Sequence, residues 1–182
     1  IRRRRLAVAR ELFKPPLTLV HGDTHLENIF FGEQFEGGAM FIDFGLTALG
    51  HPLSDISELL GTGMRPKVRR AHEMDILRHY HRCLIDYGVK SYSWEQCVED
   101  YKFQFFRVLI KILVVAPSLA RERRLKRGMF APKSQQREGD RKLYAMYKEM
   151  NTRLAAALKD HKWDERLDDM EVTAGACCRP CC

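Results

Sequence analysis

A polar loop between two short apolar runs constrains the fold of this chain more than any other feature. Residues 17–20 and 29–31 are short and β-prone, and residues 21–28 between them are mainly polar. A third apolar run, residues 39–42, follows a turn that contains glycines, so the second and third runs are predicted to pair as a small hairpin. This hairpin would hold one end of the polar loop beside Asp43, the residue that follows the third run.

The remainder of the sequence has a helical pattern. A helix with Ser54 or Asp55 as its N-cap is predicted to end at Gly61, and a later helix begins with Ser93 and Gln96 at capping-box spacing. Helices are predicted over residues 6–13, 67–87, 93–116 and 141–159, with an exposed connector over residues 121–139. The predicted fold class is therefore α+β, mainly helical with one small β-hairpin.

The polar loop and the end of the third run carry the residues that phosphoryl transfer needs. Asp23 and Asn28 are close in sequence, and Asp43 follows the neighbouring strand. Phosphoryl transfer uses a carboxylate that orients a hydroxyl group and accepts its proton, and oxygen ligands for the Mg²⁺ that neutralises the phosphates. Because Mg²⁺ keeps several waters, one aspartate and one asparagine can suffice when phosphates supply other ligands. These three residues, facing one cleft, indicate a phosphotransferase site.

Two motifs carry a resemblance to a known family, and they are His21-Gly22-Asp23-x-His25-x-x-Asn28 and Ile42-Asp43-Phe44. They resemble the catalytic loop and the metal-binding motif of the aminoglycoside phosphotransferase and choline kinase-like superfamily. The later helices resemble its ecdysteroid-kinase-like branch, so the resemblance covers residues 15–160. It implies the C-terminal lobe of a protein kinase-like fold, ATP and Mg²⁺ as cofactors, and transfer of the γ-phosphate to a hydroxyl group of a small molecule.

The resemblance also implies the roles of three residues in the site. Asp23 would be the catalytic base, and Asn28 and Asp43 would bind the metal. Gly22 stands where protein kinases carry an arginine beside the catalytic aspartate. Without that cation a phosphorylated activation loop cannot be bound in the same way, so the acceptor is expected to be a small molecule rather than a protein.

Three further residues are expected to support the loop. By the same resemblance, Asp55 would brace the loop through backbone hydrogen bonds, and His21 and His25 would hold its shape rather than transfer protons. The alternative for both histidines is an ordinary structural histidine with satisfied hydrogen bonds. The alternative for Asp55 is a helix cap, which is compatible with the bracing role.

The resemblance implies a second lobe that this sequence does not contain. Kinase-like enzymes close nucleotide between two lobes, and the smaller one supplies a lysine and a loop over the phosphates. The residues before His21 contain no such loop. The nucleotide-binding lobe is thus expected to be absent and its cofactor-binding residues remain unidentified. The predicted organisation is a residual helix or linker over residues 1–16, a phosphotransferase domain over 17–160 and a disordered tail over 161–182.

Two other classes of protein remain as alternatives. One is a short kinase-like protein without activity, which binds or scaffolds. The other is a basic nucleic-acid-binding domain, since the formal net charge is +7. The basic residues are scattered, however, and no base-reading motif is present, so no specific nucleic-acid partner is expected.

Apolar runs and cysteines indicate the compartment. The richest apolar stretch, residues 103–116, is interrupted by Arg107 and Lys111, so no membrane span is predicted. Cys83 and Cys97 fall within helical patterns and are expected to be reduced core cysteines, which fits a cytoplasmic protein.

Overall fold

The structure is a computed structural model, and it describes residues 5–115 and 133–170 of the 182-residue chain. In chain order, its helices and strands are α1 (Arg5–Leu12), β1 (Thr18–Val20), β2 (Ile29–Phe31), β3 (Ala39–Phe41), β4 (Ala48–Gly50), α2 (Ser54–Glu58), α3 (Pro66–Asp86), α4 (Trp94–Ile110), α5 (Lys133–Asp160) and α6 (Trp163–Asp169). The described part is mostly helical with small antiparallel sheets, in agreement with the predicted α+β class.

Four short strands form two separate antiparallel pairs. In the predicted hairpin, β2 pairs with β3 and Ile29 lies opposite Phe41, so this prediction is confirmed. The second pair joins β1 to β4, with Thr18 opposite Gly50, and was not predicted. Strand β4 has the sequence Ala-Leu-Gly, which lacks the β-branched and aromatic residues that mark strands. Together the two pairs hold both ends of the polar loop.

The helical segment that begins with α2 runs past its predicted end at Gly61. It continues after Glu58 as a wider π-helical turn over Leu59–Gly63. A Cβ atom on residue 61 would lie 2.6 Å from Cε1 of Phe105. Gly61 therefore does not stop the helix. Its missing side chain lets this turn approach Phe105 of α4 closely. At its other end, the N-cap of α2 is Leu53, so the prediction of Ser54 or Asp55 as the N-cap is wrong and both residues lie in the first turn.

The predicted start is confirmed for α4 and wrong for α5. Ser93 caps α4 as predicted, because its Oγ accepts the backbone N–H of Gln96 at 3.1 Å. Helix α5 begins at Lys133, whereas the prediction began it at about residue 141. Residues 133–139 were assigned to a connector because of their charge, but lysine, glutamine, arginine and glutamate are also good helix formers. The rest of that connector, residues 121–132, lies outside the described residues.

The segment after residue 160 contains a helix, so the predicted disordered tail is wrong for this part. Helix α6 begins at Trp163, which is only 4% exposed. Its indole ring stacks on Phe106 with 4.7 Å between ring centroids, and its Nε1 donates to the carbonyl of Lys102 at 2.9 Å. Trp163, with Leu167 also packed against the core, thus anchors a helix that is otherwise polar. Residues 171–182, with the four C-terminal cysteines, lie outside the described residues.

The hydrophobic core lies among α1–α5, and Trp163 of α6 also contributes to it. Its most deeply buried members are Leu53, Leu77, Tyr101, Phe105, Phe106 and Leu154. Cys97 is buried in this core and Cys83 is half-buried, and both are free thiols. Within the described ranges, no helix combines the length and the apolar character that crossing a membrane would require. The core places the first turn of α2 directly beneath the polar loop.

Candidate active site

Asp55, in the first turn of α2, holds the beginning of the polar loop. Its carboxylate accepts the backbone N–H of His21 at 2.7 Å and that of Gly22 at 3.0 Å. The hydroxyl of Thr24 donates to the backbone carbonyl of Asp55 at 2.8 Å. These are the backbone hydrogen bonds expected of a bracing residue, and Asp55 makes them across 33 or 34 positions of sequence.

Gly22 has a conformation and surroundings that only glycine tolerates. Its φ is +80°, in the left-handed region. A Cβ atom on residue 22 would lie 2.3 Å from the carbonyl oxygen of Leu46. The close approach of the loop to the segment before β4 therefore requires glycine at this position.

Replacing Gly22 with alanine is expected to destabilise the fold more than the left-handed backbone alone would. The matched control is Gly37→Ala, because Gly37 also has positive φ, at 71°, but nothing within 4 Å of the added Cβ. Gly37→Ala should cost about 1–2 kcal/mol in the free energy of unfolding. Gly22→Ala should cost about 1–3 kcal/mol more, from overlap with Leu46. Denaturant titration of both variants measures the difference, and equal losses would contradict the steric argument.

His21 links the loop to the end of β3. Its Nδ1 accepts the backbone N–H of Asp23 at 3.3 Å, and its Nε2 lies 2.9 Å from the carbonyl oxygen of Ile42. The imidazole ring also packs against Phe44, with 4.7 Å between ring centroids. A neutral imidazole with its proton on Nε2 satisfies both contacts. The buried ring thereby ties the backbone before Asp23 to the strand end that leads to Asp43.

Asp23 lies half-buried among three polar partners. Its Oδ1 accepts from Nζ of Lys111 at 2.7 Å, and its Oδ2 accepts from Nδ2 of Asn28 at 3.2 Å. Nε2 of His25 lies 3.5 Å from the same Oδ2. Burial alone would raise the pKa of Asp23, but hydrogen bonds from His25 and Lys111 and the Lys111 charge lower it well below its ordinary value. The carboxylate is therefore held in its ionised form.

His25 has a pKa shifted in the opposite direction. Its hydrogen bond to Asp23 raises the pKa of the imidazole, against the effect of burial. The charges of Asp23, Glu58 and Glu27 add to the increase. When it is protonated, His25 places a positive charge beside Oδ2 of Asp23, while Lys111 contacts Oδ1.

Asn28 and Asp43 lie at the same end of the β2–β3 hairpin. Asn28 precedes β2, and its carbonyl accepts the backbone N–H of Ile42 at 3.0 Å. Asp43 follows Ile42 with a left-handed φ of 61° and an exposed side chain, whose Oδ1 accepts the N–H of Gly45 at 3.4 Å. The hairpin register thus fixes the backbone separation of the two residues.

The donor atoms at this end of the hairpin suit a hard cation. Both hydrogen bonds that Asn28 donates to Asp23 use Nδ2, so its amide oxygen is the atom suited to a metal. A carboxylate and an amide oxygen are ligands that Mg²⁺ accepts, with waters and phosphates as the others. Across the described ranges, no group of three or more histidine, cysteine, aspartate or glutamate side chains forms a metal site by itself. The residues fit a cation that arrives with phosphate, rather than one held by protein alone.

Two residues of the site were not predicted. Lys111, just after α4, donates to the carbonyl of Gly22 and to Asp23, each at 2.7 Å, and also to Glu58. Glu58 is only 2% exposed, and burial raises its pKa against the opposing charge of Lys111. Lys111 lies 88 positions from Asp23, so no local motif connects them. The sequence pattern that could have pointed to Lys111 is a single lysine within the apolar helical run of residues 103–116.

The two motifs lie on the polar loop and at the end of β3, within a mostly helical chain. The family model that matches is that of the ecdysteroid kinase-like family, over residues 3–91. Residues 3–91 match this family, which is part of the choline kinase and aminoglycoside phosphotransferase-like superfamily, and the predicted resemblance is confirmed as far as residue 91. No curated protein and no solved structure gives a significant match. The matched residues include the polar loop, both strand pairs and α2.

Proposed function

We propose that this chain carries the catalytic lobe of an ATP-dependent phosphotransferase that moves the γ-phosphate of ATP to a hydroxyl group of a small molecule. The main support is the contact between the carboxylate of Asp23 and the amide of Asn28, within a loop that Asp55 braces. The family match over residues 3–91 gives independent support for a kinase-like protein. The catalytic lobe is assigned to residues 17–160.

Asp23 is the catalytic base in this proposal. Its carboxylate is ionised and remains partly accessible, so it can accept a hydrogen bond from the acceptor hydroxyl. As the hydroxyl oxygen forms its bond to phosphorus and the bond to the ADP oxygen breaks, the hydroxyl proton passes to Asp23. Because phosphoryl transfer involves little covalent chemistry by the protein, the orientation of the hydroxyl is the main contribution of this residue.

Asn28 and Asp43 are the proposed metal ligands. The amide oxygen of Asn28 and the carboxylate of Asp43 would hold Mg²⁺ together with the phosphates of ATP. Bound there, Mg²⁺ neutralises charge on the transferring phosphoryl group. His21, His25 and Asp55 do not take part in the transfer in this proposal, because their role is to hold the loop that presents Asp23 and Asn28.

The proposed acceptor is a small molecule because of the residue beside the base. Gly22 supplies no cation next to Asp23, and its closeness to Leu46 leaves no room for a side chain. A phosphorylated segment of a protein substrate or activation loop therefore has no arginine to bind at this position. Recognition of a small hydroxyl compound needs no such residue.

The test is a phosphorylation screen with the full-length gene product. The protein is incubated with MgATP labelled in the γ-phosphate and with a panel of small hydroxyl compounds, and labelled products are separated and counted. We expect label on one class of acceptor, none when EDTA removes the metal, and at least about 10²-fold less from the Asp23→Asn variant. A screen without any labelled acceptor would contradict the proposal and favour an inactive kinase-like binding protein. Transfer at the wild-type rate in Asp23→Asn would overturn the assigned base.

A further inference from the structure

Lys111 reaches the site from an unusual position on the helical core. Helix α4 ends at Ile110, and the chain continues as a wider π-helical turn over Lys111–Val115. Such turns often occur at functional sites, because they redirect one side chain without ending the helix. The neighbouring Ile112 is buried, which fixes the turn against the core. Lys111 therefore extends toward the polar loop from a turn that is packed against the core.

The ammonium group of Lys111 uses its hydrogen-bonding capacity fully. It donates to the carbonyl of Gly22, to Oδ1 of Asp23 and to Oε1 of Glu58. An ammonium group has three protons, so each acceptor can receive one. The side chain is 17% exposed, which limits competition from water. The lysine thus contacts both the backbone and the side chain of the catalytic segment.

Glu58 is the third acceptor of the Lys111 ammonium group. It lies in α2, one helical turn after Asp55, and its side chain is 3% exposed. Its Oε2 and the Nη1 of Arg107 are both buried without a hydrogen-bond partner among the described residues. Burying charged groups with incomplete hydrogen bonding is costly, and apolar residues could fill such a position at lower cost. The cluster is therefore poorly explained by stability alone.

The two oxygens of Asp23 are held from different sides. Lys111 fixes Oδ1, while Asn28 donates to Oδ2 and His25 lies beside it. Without Lys111, the carboxylate could rotate about its terminal torsion, which is soft for aspartate. A misplacement of about 1 Å in a reacting group can lower a rate by about 10²-fold.

From these contacts we infer that Lys111, anchored by Glu58, is a positioning residue that sets the orientation of the Asp23 carboxylate for phosphoryl transfer. This inference rests on the proposed function. Lys111 lies beyond the segment that matches the family, so neither the motif nor the match assigns it a role. It acts through Asp23 and does not itself contact the acceptor.

The test compares Lys111→Met, Lys111→Arg and Glu58→Gln in the full-length gene product. With the acceptor from the screen, Lys111→Met should lower kcat by about 10²-fold, with KM for MgATP and for the acceptor within about twofold of wild type. Lys111→Arg should recover part of this loss, because the cation is kept. Glu58→Gln should lower kcat in the same direction, because the anchor loses its charge. The control is Lys102→Met, which removes a lysine of α4 paired with Glu99, and should keep the wild-type kcat.

Thermal unfolding of each variant separates positioning from folding. If Lys111→Met fails to fold, Lys111→Arg and Glu58→Gln carry the test, since both keep polar groups at the buried positions. Folded variants with wild-type kcat, beside an inactive Asp23→Ala, would overturn the inference and leave the proposed function intact. A raised KM with unchanged kcat would also overturn it. A wild-type protein without turnover would instead refute the proposed function, and this inference with it.

Discussion

Asp23→Ala is expected to lower kcat by about 10²–10⁴, the usual contribution of a positioned general base. Binding of MgATP should stay nearly intact, because Asp23 is not a proposed metal ligand and its backbone carbonyl, which alanine keeps, still accepts from Nδ2 of Asn28. The variant also leaves Lys111 and Glu58 to pair with each other, so the local charge remains balanced. Steady-state kinetics with the acceptor from the screen gives kcat, and calorimetric titration gives nucleotide affinity.

The matched control for this variant is Asp164→Ala, which removes an exposed aspartate from α6. It should leave both kcat and nucleotide affinity unchanged. If Asp23→Ala abolished nucleotide binding, the role of Asp23 would have to be that of a ligand for the metal-nucleotide complex. A kcat close to wild type would exclude Asp23 as the base.

Asp43→Ala is expected to act at the binding step instead. Loss of its carboxylate should weaken Mg²⁺-dependent binding of ADP by at least about 10–100-fold, the effect of removing even an indirect partner of a metal. The measurement is titration with ADP at several Mg²⁺ concentrations. In wild type the apparent affinity should rise with Mg²⁺, and in the variant this dependence should be largely lost.

A second substitution separates the ligand from the backbone at this position. Asp43 has a left-handed backbone, which asparagine tolerates better than alanine. Asp43→Asn should therefore fold as wild type and keep a side-chain oxygen for the N–H of Gly45. It should still bind Mg²⁺ADP more weakly, because the charge is gone. Unchanged metal dependence in both variants would refute the ligand assignment.

The local parts of the site could be predicted from the sequence. The polar loop, the β2–β3 hairpin and the position of Asp43 after β3 follow from short apolar runs and turn residues within residues 17–43. The hydrogen bond from Ile42 to Asn28 shows how little freedom remains once this hairpin forms. Pairing of β1 with β4 could not be predicted, because Ala48–Gly50 has a low β propensity and pairs only when the intervening loop is already folded.

The long-range parts of the site and fold could not be predicted. Lys111 joins Asp23 and Glu58 only because α4 packs against α2, and that packing depends on the close contact of Gly61 with Phe105. Neither the contacts of Lys111 nor the contact of Gly61 with Phe105 corresponds to a periodic or local pattern in the sequence. The same holds for Trp163, whose burial depends on Phe106 and on a carbonyl of α4 rather than on its own polar neighbours.

The contact of Asp55 with the loop joins two events that could have been independent. Its carboxylate accepts the amides of His21 and Gly22, and its helix continues into the core beside Phe105. The loop amides can therefore exchange with solvent only when their hydrogen bonds to the first turn of α2 break. Any ligand that binds the closed loop must raise the thermal stability of the whole helical body, even if it touches only the loop.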